Sequence, residues 1–342
     1  MGDKNVIDLE GSCGMNRGKV AVLGASGQIG QLVVEELDKS GIPSLACGRS
    51  FRTEQQGDVQ YVAVDLSDPA SLTRSLTGCS SIISTLGLPY KASTWLAEWP
   101  ALMQSVLEAA EQLQVPLTIL DNAYVYGRAR APMTEETTLS PCSKKGLARL
   151  DGWRMIADRI RAGNDIVVGR AADFIGKGVD TSVVSWKGIG ELAQSGRGVR
   201  SLQWIGDPST THTYAYARDV AEGLVLLDQA KSGRTASLVH LPVLKGATGN
   251  EIGTALGDIL DCRVVVRPIL PLLMKVGSVV SSAAKEQLEM MYQVDQDFIF
   301  DDTAFRLKHP DFHQRTICEV LRADLGKLSE QQQEPAAGGL PQ

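Results

Sequence analysis

The chain has 342 residues, of which 43% are hydrophobic and 22% charged, so it can bury a large core and has an ordinary globular composition. Lys and Arg number 34 against 40 Asp and Glu, a net charge of −6, so no basic field is present to bind a nucleic-acid backbone. The 6 cysteines are scattered singly without a Cys-x-x-Cys pair, which argues against a zinc site or a disulfide framework and favours a reducing, cytoplasmic setting.

The predicted elements begin after residues 1–17, which lack an apolar secretory segment and are expected to form a flexible tail. From there to residue 174, short apolar runs alternate with stretches whose apolar residues recur at helical spacing. This alternation predicts an α/β fold, a Rossmann-type doubly wound parallel sheet with helices on both faces. The predicted strands are 19–24, 44–48, 59–66, 80–87, 116–122 and 165–174. The predicted helices start near Gln28 and then cover 68–76, 99–113 and 144–162.

Beyond residue 175 the alternation is lost and glycine-rich connections appear. We expect a smaller C-terminal substrate lobe to begin there. The predicted division is a dinucleotide-binding domain over 18–174, to which the chain returns at about 208–242, and a substrate lobe over 175–207 and 243–328.

The apolar stretch 268–284 belongs to the predicted lobe. Pro271 and Lys275 interrupt it, and it is too short to cross a bilayer comfortably. We therefore expect a buried helix or a wall of the substrate pocket, and no membrane partner. The polar residues 329–342, with nothing to bury, are predicted to form a second flexible tail.

A glycine motif, VLGASGQIG, joins the first predicted strand to the first helix. Its three glycines suit a tight turn, close approach of the backbone to a pyrophosphate, and close packing of the helix, whose N-terminus favours an anion. The spacing is GxxGxxG, and its position between strand and helix favours dinucleotide binding over a plain connection. The residues expected to bind the cofactor here are Gly24, Ser26, Gly27, Gln28, Ile29 and Gly30.

The segment CGRSFR follows the second predicted strand, where the two nicotinamide cofactors are usually distinguished. A carboxylate at this point binds the ribose 2′-hydroxyl, whereas a cation accommodates a 2′-phosphate. Arg49 is a cation and the segment contains no acid. The sequence therefore favours NADP(H), with NAD(H) as the second choice.

The motifs VAVDLSDPASL, STLG, AYVYG and TYAYARDVAEGL follow in order. With them the chain, over about residues 19–300, resembles the extended short-chain dehydrogenase/reductase family, the group of NAD-dependent epimerases and dehydratases. The resemblance implies that Asp65 and Leu66 lie beside the adenine, and that the second lobe closes over a small-molecule substrate. It also implies that the side of the nicotinamide ribose is lined by Ser84, Thr85, Leu86 and Gly87.

The chain differs from the family at the catalytic residues. In the family, a strand ending in Ser-Ser-x-x-x-Tyr-Gly is followed by Tyr-Gly-x-x-Lys on the next helix. Here LDNAYVYG and KGLAR stand in those places. The resemblance therefore puts Asn122 at the serine position, Lys145 at the tyrosine position and Arg149 at the lysine position.

Lys145 and Arg149 are four residues apart, so they share one helical face and repel unless an anion lies between them. We expect a bound dinucleotide to supply that anion, with Arg149 on its ribose or phosphate edge and Lys145 beside it. Lys145 then acts either as a general acid or as a fixed charge that polarises a carbonyl. The plain alternative is two surface cations at a helix start.

Other side chains offer a proton. Tyr124 lies two residues from Asn122 on the predicted strand, so we expect both on one face, with Asn122 binding a substrate oxygen and Tyr124 supplying the proton. Tyr126 is expected to be structural. His212 either reaches the edge of the pocket or is a hydrogen-bonded structural residue.

The intact cofactor motif and the altered catalytic residues favour an NADPH-dependent oxidoreductase that reduces a ketone or enone of a small, largely apolar metabolite, such as a secondary metabolite. Two alternatives stay open. One is a non-redox isomerase, epimerase or cyclase on the same fold, and the other is a non-catalytic NADP-sensing protein. A monomer and a homodimer are both compatible with the sequence.

Overall fold

The computed structural model describes residues 18–179, 184–195, 198–230, 237–269 and 281–331. The predicted tail 1–17 lies outside these residues, as do positions 270–280 of the apolar stretch and 332–342 of the second tail. Residues 329–331, which the sequence assigned to that tail, belong instead to the last helix.

A predominantly parallel sheet of eight strands forms the centre of the fold. The strands in chain order are β1 (Val20–Leu23), β2 (Ser44–Gly48), β3 (Glu54–Gln56), β4 (Val59–Ala63), β5 (Ser81–Ser84), β6 (Leu117–Asn122), β7 (Ile166–Ala171), β8 (Asp173–Ile175), β9 (Arg200–Trp204), β10 (Thr211–His212), β11 (Tyr214–Tyr216), β12 (Leu238–His240), β13 (Ala247–Thr248) and β14 (Val264–Pro268). The central sheet has the order β12-β7-β6-β5-β1-β2-β4-β3, and β3 alone pairs antiparallel with its neighbour. The predicted parallel α/β sheet is confirmed.

The helices begin where the sequence places capping groups. Asp68 accepts hydrogen bonds from the first turn of a helix that opens with Pro69, and Thr248 and Glu251 form a capping box. The helices are α1 (Gln28–Lys39), α2 (Pro69–Ser75), α3 (Ala92–Leu113), α4 (Lys144–Arg161), α5 (Trp186–Gln194), α6 (Ala217–Gln229), α7 (Gly249–Leu260), α8 (Ser282–Leu288), α9 (Thr303–Lys308) and α10 (Ile317–Gln331), with short 3₁₀ helices at Ala123–Tyr126 and Met291–Gln293. Within the described residues, no helix is long and apolar enough to cross a membrane.

The inner strands β1, β2, β5, β6 and β7 are buried on both faces of the sheet, which explains why they are largely apolar, whereas the edge strand β3 is polar and exposed. Side chains of a strand point alternately to opposite faces. On β1, Val20 and Val22 pack with α1 and α6, whereas Ala21 and Leu23 pack with α2, α3 and α4. This burial of helices on both faces leaves the ends of the strands as the place for a site.

The smaller lobe has its own core and three two-stranded sheets. These pair β8 with β11, β9 with β14, and β10 with β13. Trp186, Trp204 and Tyr214 are buried there among side chains of α5, α7 and α10. The pairing of β8 with β11 matters for the site, because it brings Asp173 opposite Tyr214.

Candidate active site

A cleft of about 1170 Å³ lies at the carboxyl ends of β1, β2, β4 and β5. Ligands of open α/β sheets bind at this edge, because the parallel strands all end there. Helix α3 closes one side of the cleft with Thr94, Glu98 and Ala101. The predicted cofactor residues that line it are Gly24, Ser26, Gly27, Gln28, Ile29, Arg49, Asp65, Leu66, Thr85, Leu86 and Gly87.

The glycine loop gives this cleft a backbone surface that side chains would fill. Gly24 has φ +85°, and a Cβ there would lie 3.0 Å from Thr85 Oγ1. A Cβ on Gly30 would lie 2.1 Å from the Gly24 carbonyl oxygen, so Gly30 serves the packing of α1 against the loop. Gly27 caps α1 without a side-chain hydrogen bond, which leaves the amides of the first turn for an anion. The residues present therefore fit the pyrophosphate of a dinucleotide.

Two charged residues mark the expected adenosine end of the cleft. Arg49 follows β2 and is exposed, where it can meet a 2′-phosphate. Asp65 accepts hydrogen bonds from the Ser67 amide at 2.8 Å and the Ser67 hydroxyl at 2.6 Å, and these bonds lower the pKa of Asp65. Asp65 is thus held as an oriented carboxylate beside the cleft.

A series of hydrogen bonds from Gln28 through Lys177 to Asp324, called the strap below, connects the glycine loop to the smaller lobe. Gln28 Nε2 donates to the Lys177 carbonyl at 2.7 Å, and the Lys177 amide donates to Asp324 Oδ2 at 2.7 Å. The other oxygen of Asp324 accepts from the Tyr216 hydroxyl at 3.0 Å. Because Gln28 lines the cleft, the strap joins the cofactor loop to α10 of the lobe.

Asn122 is the last residue of β6 and turns the chain. Its Oδ1 accepts a hydrogen bond from the Tyr124 amide at 3.2 Å, and a 3₁₀ helix follows. The prediction that Tyr124 continues the strand and shares a face with Asn122 is therefore wrong. The physical reason is local, since an Asn side chain offers the backbone a turn in place of a sheet bond.

Lys145 is 1% exposed at the start of α4, where two carboxylates of the lobe enclose its ammonium group. Nζ lies 2.5 Å from Glu286 Oε2, 3.5 Å from Glu289 Oε2 and 4.3 Å from the centre of the Tyr90 ring. The same glutamates bind two helix N-termini, Glu286 through the Ala92 amide at 3.0 Å and Glu289 through the Lys145 amide at 3.1 Å. The expectation that a dinucleotide supplies the anion beside Lys145 is wrong, because the lobe supplies it.

Arg149 is also buried and paired. Its Nη1 donates to Asp121 Oδ1 at 3.3 Å, and its guanidinium lies 4.4 Å and 4.2 Å from the ring centres of Trp95 and Trp99. Burial lowers the pKa of Arg149, and Asp121 opposes this effect. Arg170 Nε binds the other oxygen of Asp121 at 3.0 Å. Arg149 thus packs beside α3 and outside the cofactor cleft, contrary to the role predicted on the ribose or phosphate.

Tyr126 belongs to this buried network. Its hydroxyl accepts from Arg170 Nη1 at 2.8 Å and lies 2.6 Å from His240 Nε2. Burial lowers the pKa of His240 to about 3, so the ring is neutral. His240 Nδ1 lies 2.8 Å from the Asp301 carbonyl and donates to it, which leaves Nε2 to accept the Tyr126 proton.

The hydroxyl of Tyr124 meets that of Tyr90, a residue the sequence did not single out. Burial, followed by the neighbouring Tyr124, raises the pKa of Tyr90, and the hydrogen bond between the two phenols adds to this rise and opposes the rise at Tyr124. Burial, followed by Asp173, raises the pKa of Tyr124 to about 12, while Arg149 opposes this effect. These directions are those of a bond that Tyr90 donates and Tyr124 accepts, which would leave the proton of Tyr124 for another oxygen. The only local signal for Tyr90 was its position just after STLG.

His212 lies in the same region and is buried. Its ring stacks on Phe298 with centres 4.9 Å apart, and Nε2 lies 3.9 Å from Asp173 Oδ2. Burial lowers the pKa of His212 to about 4. His212 thus lies beside Asp173, another residue that sequence reasoning missed, because only the pairing of β8 with β11 reveals its place. Among the described residues, no group of His, Cys, Asp and Glu is suited to hold a metal ion.

The arrangement has known relatives in sequence and structure. The model of the NAD dependent epimerase/dehydratase family matches residues 20–238. The UDP-N-acetylglucosamine 4-epimerase from Bacillus cereus is 15% identical, with a TM-score of 0.67 over 94% of this chain and 98% of its own. The dTDP-glucose 4,6-dehydratase from Streptomyces venezuelae, solved with NAD and TYD bound, is 17% identical, with a TM-score of 0.70 over 91% and 97%. The Bordetella bronchiseptica enzyme WbmH, solved with NAD+, is 14% identical, with a TM-score of 0.67 over 92% and 99%. No curated protein matches the sequence significantly.

Proposed function

The chain belongs to the NAD dependent epimerase/dehydratase family, and from this premise we propose that it epimerises or isomerises a small molecule with no net redox change. In this proposal a nicotinamide dinucleotide stays bound through the reaction. The ketone or enone reduction predicted from the sequence is the competing possibility. The observation that carries the proposal is the strap between Gln28 and the lobe.

The strap favours a retained cofactor. A reductase must release its oxidised cofactor after each turnover, whereas a redox-neutral enzyme can keep it. Gln28 lines the cofactor cleft and is bonded to Lys177 at 2.7 Å, and Lys177 is anchored in turn on Asp324 at 2.7 Å. Release of a dinucleotide then requires that these bonds break, which slows it.

Tyr124 is the proposed acid and base. With its pKa raised to about 12 it is protonated at neutral pH, and it accepts a hydrogen bond from Tyr90. Its own proton can then pass to a substrate oxygen that gains charge. Tyr90 and Arg149 stabilise the phenolate that remains, so the same group takes the proton back when the oxygen loses charge. When bound, the nicotinamide supplies hydride transfer to and from a substrate carbon.

Arg49 supports NADP(H) as the cofactor. It is exposed at the edge of the cleft after β2, and the segment CGRSFR has no carboxylate to bind a ribose 2′-hydroxyl. The test is a fluorescence titration with NADPH and then NADH. NADPH should bind at least about tenfold more tightly, and Arg49→Ala should remove the difference. Equal affinities of the wild type for the two would contradict the NADP assignment.

The proposed reaction is tested first on the purified protein. It should carry bound nucleotide that exchanges with free nucleotide more slowly than the enzyme turns over, and reactions with candidate hydroxyketones should form isomers, seen by NMR, while the absorbance of added NADPH stays constant. Tyr124→Phe should lower turnover by about 10²–10⁴-fold with cofactor affinity unchanged.

Two outcomes would reject this proposal. Consumption of one NADPH for each product would instead support reduction of a ketone or enone. Unchanged turnover in Tyr124→Phe would remove that phenol from the chemistry. Tyr61→Phe, on β4 away from the cluster, is the matched control for loss of a phenol hydroxyl.

A further inference from the structure

Two buried polar atoms near the proposed acid have no hydrogen-bond partner in the described part of the chain. They are His212 Nε2 and the Tyr214 hydroxyl. His212 is 4% exposed and Tyr214 is 0% exposed, so neither atom is satisfied by bulk solvent. A buried polar group without a partner costs free energy, and such groups are rare in folded proteins. A ligand that pairs with both would remove that cost.

The two residues are neighbours. The rings of His212 and Tyr214 have centres 4.7 Å apart, and Tyr214 lies opposite Asp173 in the pairing of β11 with β8. Asp173 Oδ2 is 3.9 Å from His212 Nε2, too far for a hydrogen bond. The same carboxylate also acts on the phenols of Tyr90 and Tyr124. The unpartnered atoms are therefore neighbours of the proposed proton donor.

The charges of this cluster define what it can bind. His212 is neutral at neutral pH, and its ring donates to the Gln293 carbonyl. Because Nε2 is the nitrogen without a partner, Nδ1 carries the proton and Nε2 is an acceptor. On α4, Lys145 and Arg149 are already paired with carboxylates. The cluster thus attracts a hydrogen-bond donor and repels an anion, since Asp173 brings negative charge.

We propose that His212, Tyr214 and Asp173 bind a hydroxyl group of the substrate, and that the substrate is an uncharged hydroxylated carbonyl compound and not a nucleoside diphosphate derivative. Nε2 of His212 accepts the hydroxyl proton, and the Tyr214 hydroxyl donates to its oxygen. Asp173 excludes phosphate groups by repulsion. This inference rests on the proposed function, because Tyr124 then acts on the carbonyl next to that hydroxyl.

The experiment uses the full chain with NADP present and follows saturation-transfer NMR of three probes. Dihydroxyacetone is the hydroxyketone, and UDP and dTDP are the diphosphates. Dihydroxyacetone should bind the wild type, and His212→Phe and Tyr214→Phe should each weaken it about tenfold or more. UDP and dTDP should show no binding that depends on His212. Tyr61→Phe is the control and should bind as the wild type does.

The unliganded Tm separates a binding role from a structural one. Tyr214→Phe should melt at or above the wild-type Tm, because its hydroxyl makes no bond that the variant loses. A Tm lowered by several degrees, or saturation transfer to dihydroxyacetone that is absent or unchanged in both variants, would overturn the proposal. UDP binding that His212→Phe weakens would do the same. These measurements need no turnover, so their failure is distinct from failure of the Tyr124→Phe test.

Discussion

Replacing Lys145 by Met removes the cation that joins α4 to the lobe while keeping a side chain of similar length. Nζ is paired with Glu286 at 2.5 Å and Glu289 at 3.5 Å, and Lys145 itself is 1% exposed. Removing one partner of a buried ion pair costs about 3–5 kcal/mol, because the other charge stays buried. The glutamate side chains are 14% and 19% exposed, so solvent relieves part of this cost. We expect the free energy of unfolding to fall by about 2–4 kcal/mol.

Urea unfolding followed by far-ultraviolet circular dichroism measures this change. Lys187→Met is the matched control: Lys187 is 76% exposed and lies 3.9 Å from Glu191, so its loss should change stability by less than about 0.5 kcal/mol. Adding Glu286→Gln and Glu289→Gln to Lys145→Met should restore part of the stability, because no unpaired carboxylate then stays buried.

One result would refute this reasoning. If Lys145→Met unfolds like the wild type but loses at least about a hundredfold in turnover, Lys145 takes part in the chemistry, as its place in the family's motif predicts. A loss of stability with turnover preserved in the folded fraction would support the anchoring role.

Three further predictions test the cleft, the strap and the buried histidine. Gly30→Ala should weaken NADPH binding about tenfold in a fluorescence titration, because its Cβ would lie 2.1 Å from the Gly24 oxygen; Gly190→Ala, with nothing within 4 Å, should not, and equal effects would contradict the packing argument. Gln28→Ala should speed cofactor release about fivefold in stopped-flow exchange, the worth of one hydrogen bond, and an unchanged rate would remove the strap from cofactor retention. The wild type should lose stability as the pH falls from 6.5 to 4, because His212 takes up a proton when unfolded but stays neutral when folded until about 4. His212→Phe should reduce this loss by up to about 3 kcal/mol in urea melts at several pH values, and parallel curves would show that His212 does not titrate as described.

The cofactor cleft could be predicted because it depends on local features of the chain. Gly24 and Gly27 determine the turn after β1. Arg49 and Thr85 follow the ends of β2 and β5, so the parallel sheet places them at its carboxyl edge independently of distant side chains. Helix boundaries were harder where a strong local signal conflicted with packing. The sequence predicted a helix over 99–113, yet α3 begins at Ala92 and continues through Pro100.

The residues around Lys145 could not be predicted because their partners are distant in sequence. Glu286 and Glu289 are 141 and 144 residues away, and no spacing rule connects them to α4. Asn122 is different, because an Asn is a common capping residue before a turn and this signal is local. The family pattern, which has a strand here, led instead to the prediction that the strand continues to Tyr124. Local signals thus specify backbone sites better than they specify side-chain networks.

The contrast between Lys145 and Tyr124 explains why the proton donor is assigned to the tyrosine. The ammonium of Lys145 is paired with Glu286 and Glu289, so removal of its charge would leave two carboxylates without their cation. Tyr124 has the opposite surroundings, because Tyr90 donates to its oxygen and Arg149 favours its ionised form. A proton can therefore leave Tyr124 and return without opening the contact between α4 and the lobe. Lys145, at the position of the tyrosine in the family's sequence pattern, thus joins α4 to the lobe, and in our proposal the proton transfer is assigned to Tyr124 instead.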